Sequence, residues 1–136
     1  MYKDPLVPGY MYHIYNRGNN KERIFREEKN YPYFLQHWKN HILPVAETFT
    51  YSLLPNHFHF LVAIRETADP FRIRNYFSNF FNAYAKSFNK AYQRTGSLFQ
   101  ERFGRKLIDY NDYFTQIVFY IHSNPQKHGL VNDFTT

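Results

Sequence analysis

The stretch TFTYSLLPNHFHFLVAI, residues 48–64, holds two runs of alternating residues on either side of Pro55-Asn56. Alternation with a period of two is typical of β-strands, and Pro followed by Asn is common in turns. The stretch therefore predicts a β-hairpin, with strands over 48–54 and 57–64. A hairpin alone is marginally stable in water, so it needs neighbouring strands or helices to cover an apolar face.

The elements around the hairpin complete a split βαβ pattern. Residues 10–16 alternate like a strand, and 30–43 carry apolar residues at helical spacing, with Asn30 as the predicted cap and Pro44 as the stop. A long amphipathic helix follows, with Asp69 as its predicted cap, and then a strand over 104–110 and a last helix over 112–124. We therefore expect an α+β fold: a ferredoxin-like split βαβ antiparallel sheet with helices on one face, and a C-terminal helix.

Length and composition narrow the class of protein. The 136 residues, 43% of them apolar, fit one domain over 1–136. We find no run of about 20 apolar residues and no signal peptide in MYKDPLVPGY, so we expect a cytoplasmic protein with no membrane partner. Cysteine is absent. This excludes disulfides, thiol nucleophiles and Cys-based zinc sites, so nitrogen and oxygen atoms must hold any metal.

The charge balance favours nucleic acid as a partner. Lys and Arg number 17 against 11 Asp and Glu, a net charge of +6, and 13 Tyr and 15 Phe are mixed among them. Cations neutralise phosphates, and exposed rings stack on unpaired bases. A basic balance is also common in other proteins, and most of these rings must fill the core of so small a domain.

His57 and His59 form the first candidate site. Alternation along the strand turns both imidazoles to one face and Phe58, Phe60 and Val62 to the other. The three apolar side chains suit burial beneath the helices, which leaves the two histidines on the open face, where they could hold a divalent ion. The alternative is that they are ordinary polar residues of a solvated strand, because His-x-His pairs are frequent by chance.

The last predicted helix carries a second candidate group. Tyr120 and Asn124 are four residues apart and therefore share a helix face. An amide oxygen is a suitable third ligand for a hard cation, and a phenol beside it could act as nucleophile. Taken alone, the residues favour a plainer interpretation, in which Tyr120 is one half-buried tyrosine of 13 and Asn124 is a C-cap before Pro125.

Four segments together resemble a known family. In order along the chain they are YHIYNRGNNKERIF (12–25), LLPNHFHFLV (53–62), GSLFQERF (96–103) and YIHSNPQKHGLV (120–131). They resemble the REP-associated tyrosine transposases, a branch of the single-tyrosine HUH transposases, where HUH denotes His, a bulky hydrophobe and His. The resemblance spans nearly the whole chain, and four ordered motifs are far more specific than any one of them.

The resemblance implies a role for each candidate residue. His57 and His59 would be metal ligands, Asn124 the third ligand, and Tyr120 the nucleophile that forms a 5′-phosphotyrosine in single-stranded, hairpin-containing DNA. We expect Mg²⁺ or Mn²⁺ as the metal, because water and phosphate oxygens would complete its shell, although two imidazoles bind Zn²⁺ or Ni²⁺ more tightly in vitro. A homodimer is left open, since dimers are usual among the wider HUH transposases.

Basic residues in loops and at strand ends around the predicted open face are the candidates for DNA contacts. They are Arg17, Lys21, Arg23, Arg102, Arg105 and Lys106. Two other functions stay open at this point. One is a non-catalytic nucleic-acid-binding module, because a split βαβ sheet with exposed rings also binds RNA. The other is a hydrolytic metallonuclease, in which water attacks in place of Tyr120.

Overall fold

Four strands and two helices make up the part of the chain that the structure, a computed structural model, describes, which is residues 2–108. The strands are β1 (Met11–Arg17), β2 (Ala46–Leu54), β3 (His57–Ile64) and β4 (Gly104–Leu107), and the helices are α1 (Asn30–Ile42) and α2 (Ile73–Ala91). A 3-10 turn, Asn19–Lys21, follows β1. Neither α1 nor α2 is long and apolar enough to cross a membrane.

The strands form one antiparallel sheet in the order β2-β3-β1-β4. This is the strand order of a split βαβ unit, because β3 lies between β1 and β2, the two strands that α1 connects. The α+β class and the antiparallel sheet predicted from the sequence are thus confirmed. The predicted C-terminal helix over 112–124, with Tyr120 and Asn124, lies outside the described residues.

Both helices pack on the same face of the sheet. Trp38 of α1 stacks on Phe60 of β3 with ring centroids 3.7 Å apart, and its Nε1–H donates to Thr48 Oγ1 at 2.9 Å. Phe58 of β3 contacts Phe81 of α2, with centroids 5.9 Å apart. Most of the aromatic residues within 2–108 are buried in this core, and the opposite face of the sheet is turned away from the helices.

Both predicted helix caps are wrong. Helix α2 begins at Ile73, and Asp69 instead accepts a hydrogen bond from the N–H of Phe71 in the turn before it, at 3.0 Å. Asn30 is already the first residue of α1, and its side-chain oxygen accepts the N–H groups of Arg26 and Glu27, at 2.7 and 2.9 Å. In both cases a short polar side chain closes a tight turn in the preceding loop, which competes with capping.

Candidate functional site

The two predicted histidines lie on the face of the sheet that the helices leave uncovered. In the antiparallel register of β1 and β3, His59 is opposite Tyr15 and His57 is opposite Arg17. Directly opposite residues point to the same side of a sheet. The imidazoles therefore share a surface with the phenol of Tyr15 and the guanidinium of Arg17, while Phe58 is fully buried on the helix side.

Each of the two imidazoles is held by a hydrogen bond to its Nδ1 atom. His57 Nδ1 lies 2.8 Å from Asn56 Oδ1, and His59 Nδ1 lies 2.8 Å from His13 Nε2. The two ring centroids are 5.3 Å apart, with the planes at 90°. Because both bonds use Nδ1, a metal bound by either residue would be bound through Nε2. Histidine ligands in proteins usually donate their other ring N–H in this way.

The Pro55-Asn56 turn, which fixes where β3 begins, is itself anchored by the segment after β1. The carbonyl oxygen of Pro55 accepts the N–H groups of Ile24 and Phe25 at 2.8 and 3.1 Å, and that of Asn56 accepts the N–H of Gly18 at 2.9 Å. Gly18 has no space for a β-carbon, which would collide with a backbone carbonyl four residues on. The first two motifs of the resemblance therefore meet in space at the start of β3.

Burial keeps the histidines of this surface uncharged. Burial lowers the pKa of His13 to about 4, and burial, with the neighbouring His13 and His57, lowers the pKa of His59 to about 3. The pKa of His57 is lowered by burial and then by the positive charge of Arg17. A neutral imidazole is the form that binds metal ions. The pair therefore needs no deprotonation near neutral pH before it can act as a ligand pair.

Two neutral imidazoles suit a divalent cation but do not complete its coordination. Within residues 2–108, three or more His, Asp or Glu side chains are nowhere grouped so that they could hold a metal ion. The pair would supply two nitrogens and leave several positions open for oxygen ligands. The donor set of this surface therefore fits a metal that also binds a phosphate, and Asn124, the predicted third ligand, lies outside the described residues.

Two of the predicted DNA-binding cations lie beside the histidines. Arg17 and Lys21 line the same cleft as His57 and His59, and both cations are exposed. We call this cleft, which Tyr15 and Asn56 also line, the histidine cleft. Lys106 lies on the same face two strands away from β3, and its Nζ is 4.4 Å from the centroid of the Tyr2 ring.

The other three predicted cations lie elsewhere. Arg23 is exposed and does not line the histidine cleft. Arg102 and Arg105 line a different groove, beside α2, together with Arg74. Arg105 is buried on the helix side, where its Nε donates to the carbonyl oxygen of Asp4 at 3.1 Å. Arg105 and Lys106 are adjacent in a strand, so their side chains must point to opposite faces of the sheet. The prediction that both lie around the open face is therefore wrong for Arg105.

Two residues of β1 that lie at the site, His13 and Tyr15, were not among the predicted site residues. His13 and Tyr15 alternate with buried Tyr12 and Ile14, so their common face was readable from the sequence. Their position beside His59 was not readable from β1 alone, because it depends on the register between β1 and β3. The split βαβ strand order, which puts these two strands side by side, was the available signal.

Comparisons with known proteins bear on the fold. No protein-family model matches the chain, and no curated protein sequence matches it. Solved structures do. A REP-associated tyrosine transposase bound to a REP hairpin matches with a TM-score of 0.66 at 22% sequence identity, over 98% of this chain and 78% of the other.

A second solved structure agrees. A putative transposase from Deinococcus radiodurans R1 matches with a TM-score of 0.57 at 14% identity, over 90% of this chain and 95% of the other. Both alignments extend over nearly the whole chain, as the four sequence motifs do. The chain therefore has the fold of solved transposases, one of them a REP-associated tyrosine transposase, in agreement with the resemblance that its motifs carry.

Proposed function

We propose that this protein is a DNA transposase that cleaves and rejoins single-stranded, hairpin-containing DNA through a tyrosine. The observation that carries the proposal is the histidine cleft, in which His57 and His59 are both anchored through Nδ1 beside Arg17 and Lys21. Paired imidazoles with cations at hand suit a scissile phosphate. One solved structure with this fold is bound to a REP hairpin, which supports hairpin DNA as the substrate.

Arg17 and Lys21 would bind the DNA backbone next to the reacting phosphate. Arg17 ends β1 opposite His57, so its guanidinium is carried on the same sheet as the ligand pair. Lys21 ends the 3-10 turn that follows β1 and lines the same cleft. Neither forms a salt bridge with another described residue. Both charges are thus available to neutralise phosphates, which is the usual source of affinity for single-stranded DNA.

The reaction exchanges one phosphodiester for another. The phenol oxygen of Tyr120 attacks the phosphorus, the bond from phosphorus to the 3′ oxygen breaks, and the departing oxygen takes a proton to become a 3′-hydroxyl. The phenol gives up its own proton, and the DNA strand stays attached through a 5′-phosphotyrosine. Because a phosphoester bond is conserved at each step, a 3′-hydroxyl can reverse the attack and rejoin the strand without ATP.

Tyr120 needs assistance because a tyrosine with a pKa near 10 is mostly protonated at neutral pH. A divalent ion, Mg²⁺ or Mn²⁺, held by His57, His59 and Asn124 would polarise the phosphate and stabilise charge on the leaving oxygen. Arg17 would bind a neighbouring phosphate and hold the strand in line for attack. The histidines contribute as neutral ligands, and their Nδ1 hydrogen bonds keep both rings oriented.

The test is the capture of a covalent protein–DNA adduct. The full chain is incubated with a panel of labelled single-stranded hairpins and Mn²⁺ or Mg²⁺, and the products are separated on a denaturing gel. Tyr120→Phe removes the proposed nucleophile, and Tyr33→Phe is the matched control, because Tyr33 is an exposed phenol on α1. We expect an adduct with the wild type and with Tyr33→Phe, and none with Tyr120→Phe or with EDTA.

Each other result assigns a different function. Cleavage without an adduct across the panel would make the protein a hydrolytic metallonuclease. Binding without cleavage would make it a non-catalytic module whose sheet binds single strands. An adduct that survives in Tyr120→Phe would move the nucleophile to another residue. Any of these three results would overturn the proposed reaction.

A further inference from the structure

His13 contacts one of the proposed metal ligands, His59, from the neighbouring strand. It lies on β1, opposite Leu61 and therefore diagonal to His59, and its Nε2 is 2.8 Å from His59 Nδ1. The two ring planes are 22° apart and their centroids are 5.0 Å apart. With the nitrogens so close at this centroid separation, the rings meet edge to edge, and each nitrogen points at the other. This is the geometry of a hydrogen bond between two imidazoles.

His13 is itself held in place. Its side chain is buried, and its ring packs on the ring of Tyr15 with centroids 4.6 Å apart and planes 30° apart. The hydroxyl of Tyr15 accepts the backbone N–H of Tyr2 at 3.1 Å, which ties that ring to the N-terminal segment. A buried, packed acceptor does not reorient easily. His13 therefore restricts the position of the His59 ring, which it contacts.

A hydrogen bond between two neutral imidazoles has one donor and one acceptor, so two arrangements are open. If His13 donates, His59 accepts at Nδ1 and carries its own proton on Nε2, which prevents metal binding there. If His59 donates, the Nε2 lone pair of His59 is directed to the metal position. Only the second arrangement is compatible with a metal on His59. A metal on His59 therefore requires His13 to be the acceptor, and an acceptor at His13 leaves Nε2 of His59 without a proton, ready for the metal.

We infer that His13 is a positioning residue for the metal centre, which accepts the Nδ1–H of His59 and thereby fixes the tautomer and the ring orientation that bind the metal. This inference rests on the proposed function, because it presupposes a metal at His57 and His59. His13 belongs to the first of the four sequence motifs and His59 to the second, so the first motif would support the metal chemistry of the second. His57 has its own acceptor, Asn56, so His13 acts on one ligand of the pair.

The test compares three substitutions at position 13 by their affinity for Mn²⁺, measured with the full chain at one fixed pH and without DNA. In His13→Gln the amide oxygen reaches the place of Nε2 and keeps an acceptor. In His13→Asn the amide is too short to reach it, and His13→Phe offers no acceptor. Loss of an outer-shell partner typically weakens metal affinity 10- to 100-fold. We expect about that loss for Phe and Asn, and recovery to within about threefold of the wild type for Gln.

A second measurement reads the tautomer directly and uses the unsubstituted protein. Two-bond ¹H–¹⁵N correlation spectra of the Zn²⁺-loaded chain distinguish a protonated ring nitrogen from a bare one. We expect a proton on Nδ1 of His59 and no proton on Nε2 of His13. A merely structural role for His13 would not require this pair of protonation states. The spectrum decides the inference even if the Phe variant does not fold.

The outcomes separate this inference from the proposed function. If the wild type binds Mn²⁺, His59→Ala abolishes binding and a folded His13→Phe keeps wild-type affinity, the role of His13 is overturned while the metal centre stands. Equal losses in the Gln and Phe variants, or a proton on Nε2 of His13, overturn it as well. If the chain binds Mn²⁺ equally well after substitution of His57 or His59 by Ala, the proposed metal centre is wrong, and the role of His13 is overturned with it.

Discussion

The ring of Tyr15 lies across Gly104 on the neighbouring strand, so closely that a β-carbon at position 104 would overlap it. The same ring packs on His13, which contacts His59. Gly104 therefore permits an arrangement of rings that ends at a proposed metal ligand. The absence of a side chain at one position in β4 is thus part of how the site is built.

We predict that Gly104→Ala destabilises the protein by about 1–3 kcal/mol, because the added methyl must displace a ring in a packed layer. Urea unfolding measures this change. The matched experiment places the same substitution in a Tyr15→Ala background, where the ring is gone and the cost should fall below about 1 kcal/mol. An equal cost in both backgrounds would show that the contact with Tyr15 does not explain the glycine.

The buried hydroxyl of Thr48 should contribute more to the free energy of unfolding than the buried hydroxyl of Thr50. Thr48 Oγ1 accepts the Trp38 Nε1–H in the core, so Thr48→Val leaves a buried donor unsatisfied, at a cost of about 1–3 kcal/mol. Thr50 Oγ1 is also buried but makes no hydrogen bond with the described residues. Thr50→Val, the same chemical change on the same strand, should be neutral or stabilising. Unfolding free energies that rank the two variants the other way would contradict the assignment.

Because of the ion pair between Glu22 and Arg94, the free energy of unfolding should depend on pH in the acid range. Hydrogen bonds from Arg94, at 2.8 Å to each carboxylate oxygen, hold the pKa of Glu22 below its usual 4.5. A carboxyl with a lowered folded-state pKa stabilises the fold above about pH 4.5 and loses that contribution as the pH falls through the folded-state value. The difference in unfolding free energy between wild type and Glu22→Gln should therefore shrink between pH 6 and pH 3, as followed by urea titration. A constant difference would contradict the ion pair.

Arg17 and Lys21 should contribute to DNA affinity in a salt-dependent way. Each phosphate contact adds about 0.7 to the slope of log affinity against log salt for a single strand. Arg17→Ala and Lys21→Ala should each lower that slope by about this amount, as measured by fluorescence anisotropy with a hairpin DNA. Lys29→Ala is the control, since Lys29 is an exposed cation at the start of α1, away from the histidine cleft. Equal slopes for all variants would remove both residues from the interface.

Features of the fold and site that depend on residues close in sequence could be predicted from the sequence, and features that depend on the pairing of distant strands could not. The alternating run predicted β3 over His57–Ile64 with the observed bounds, and it put both histidines on the face away from Phe58. The caps of the helices were wrong because Asn30 and Asp69 have two local hydrogen-bonding options, and the sequence does not say which one wins. The partners of His59 were missed because they come from a strand more than forty residues earlier, through a register that only the assembled sheet defines.

We expect Tyr120 to be the residue that carries the DNA. The most direct test is to incubate the protein with a cleavable hairpin DNA, digest the adduct with protease and nuclease, and locate the modified residue by tandem mass spectrometry. We expect a nucleotide joined through its 5′-phosphate to Tyr120, together with a released DNA fragment that ends in a 3′-hydroxyl and can be extended by a polymerase. A nucleotide on any other residue, or cleavage of the same DNA that leaves every peptide unmodified, would contradict it.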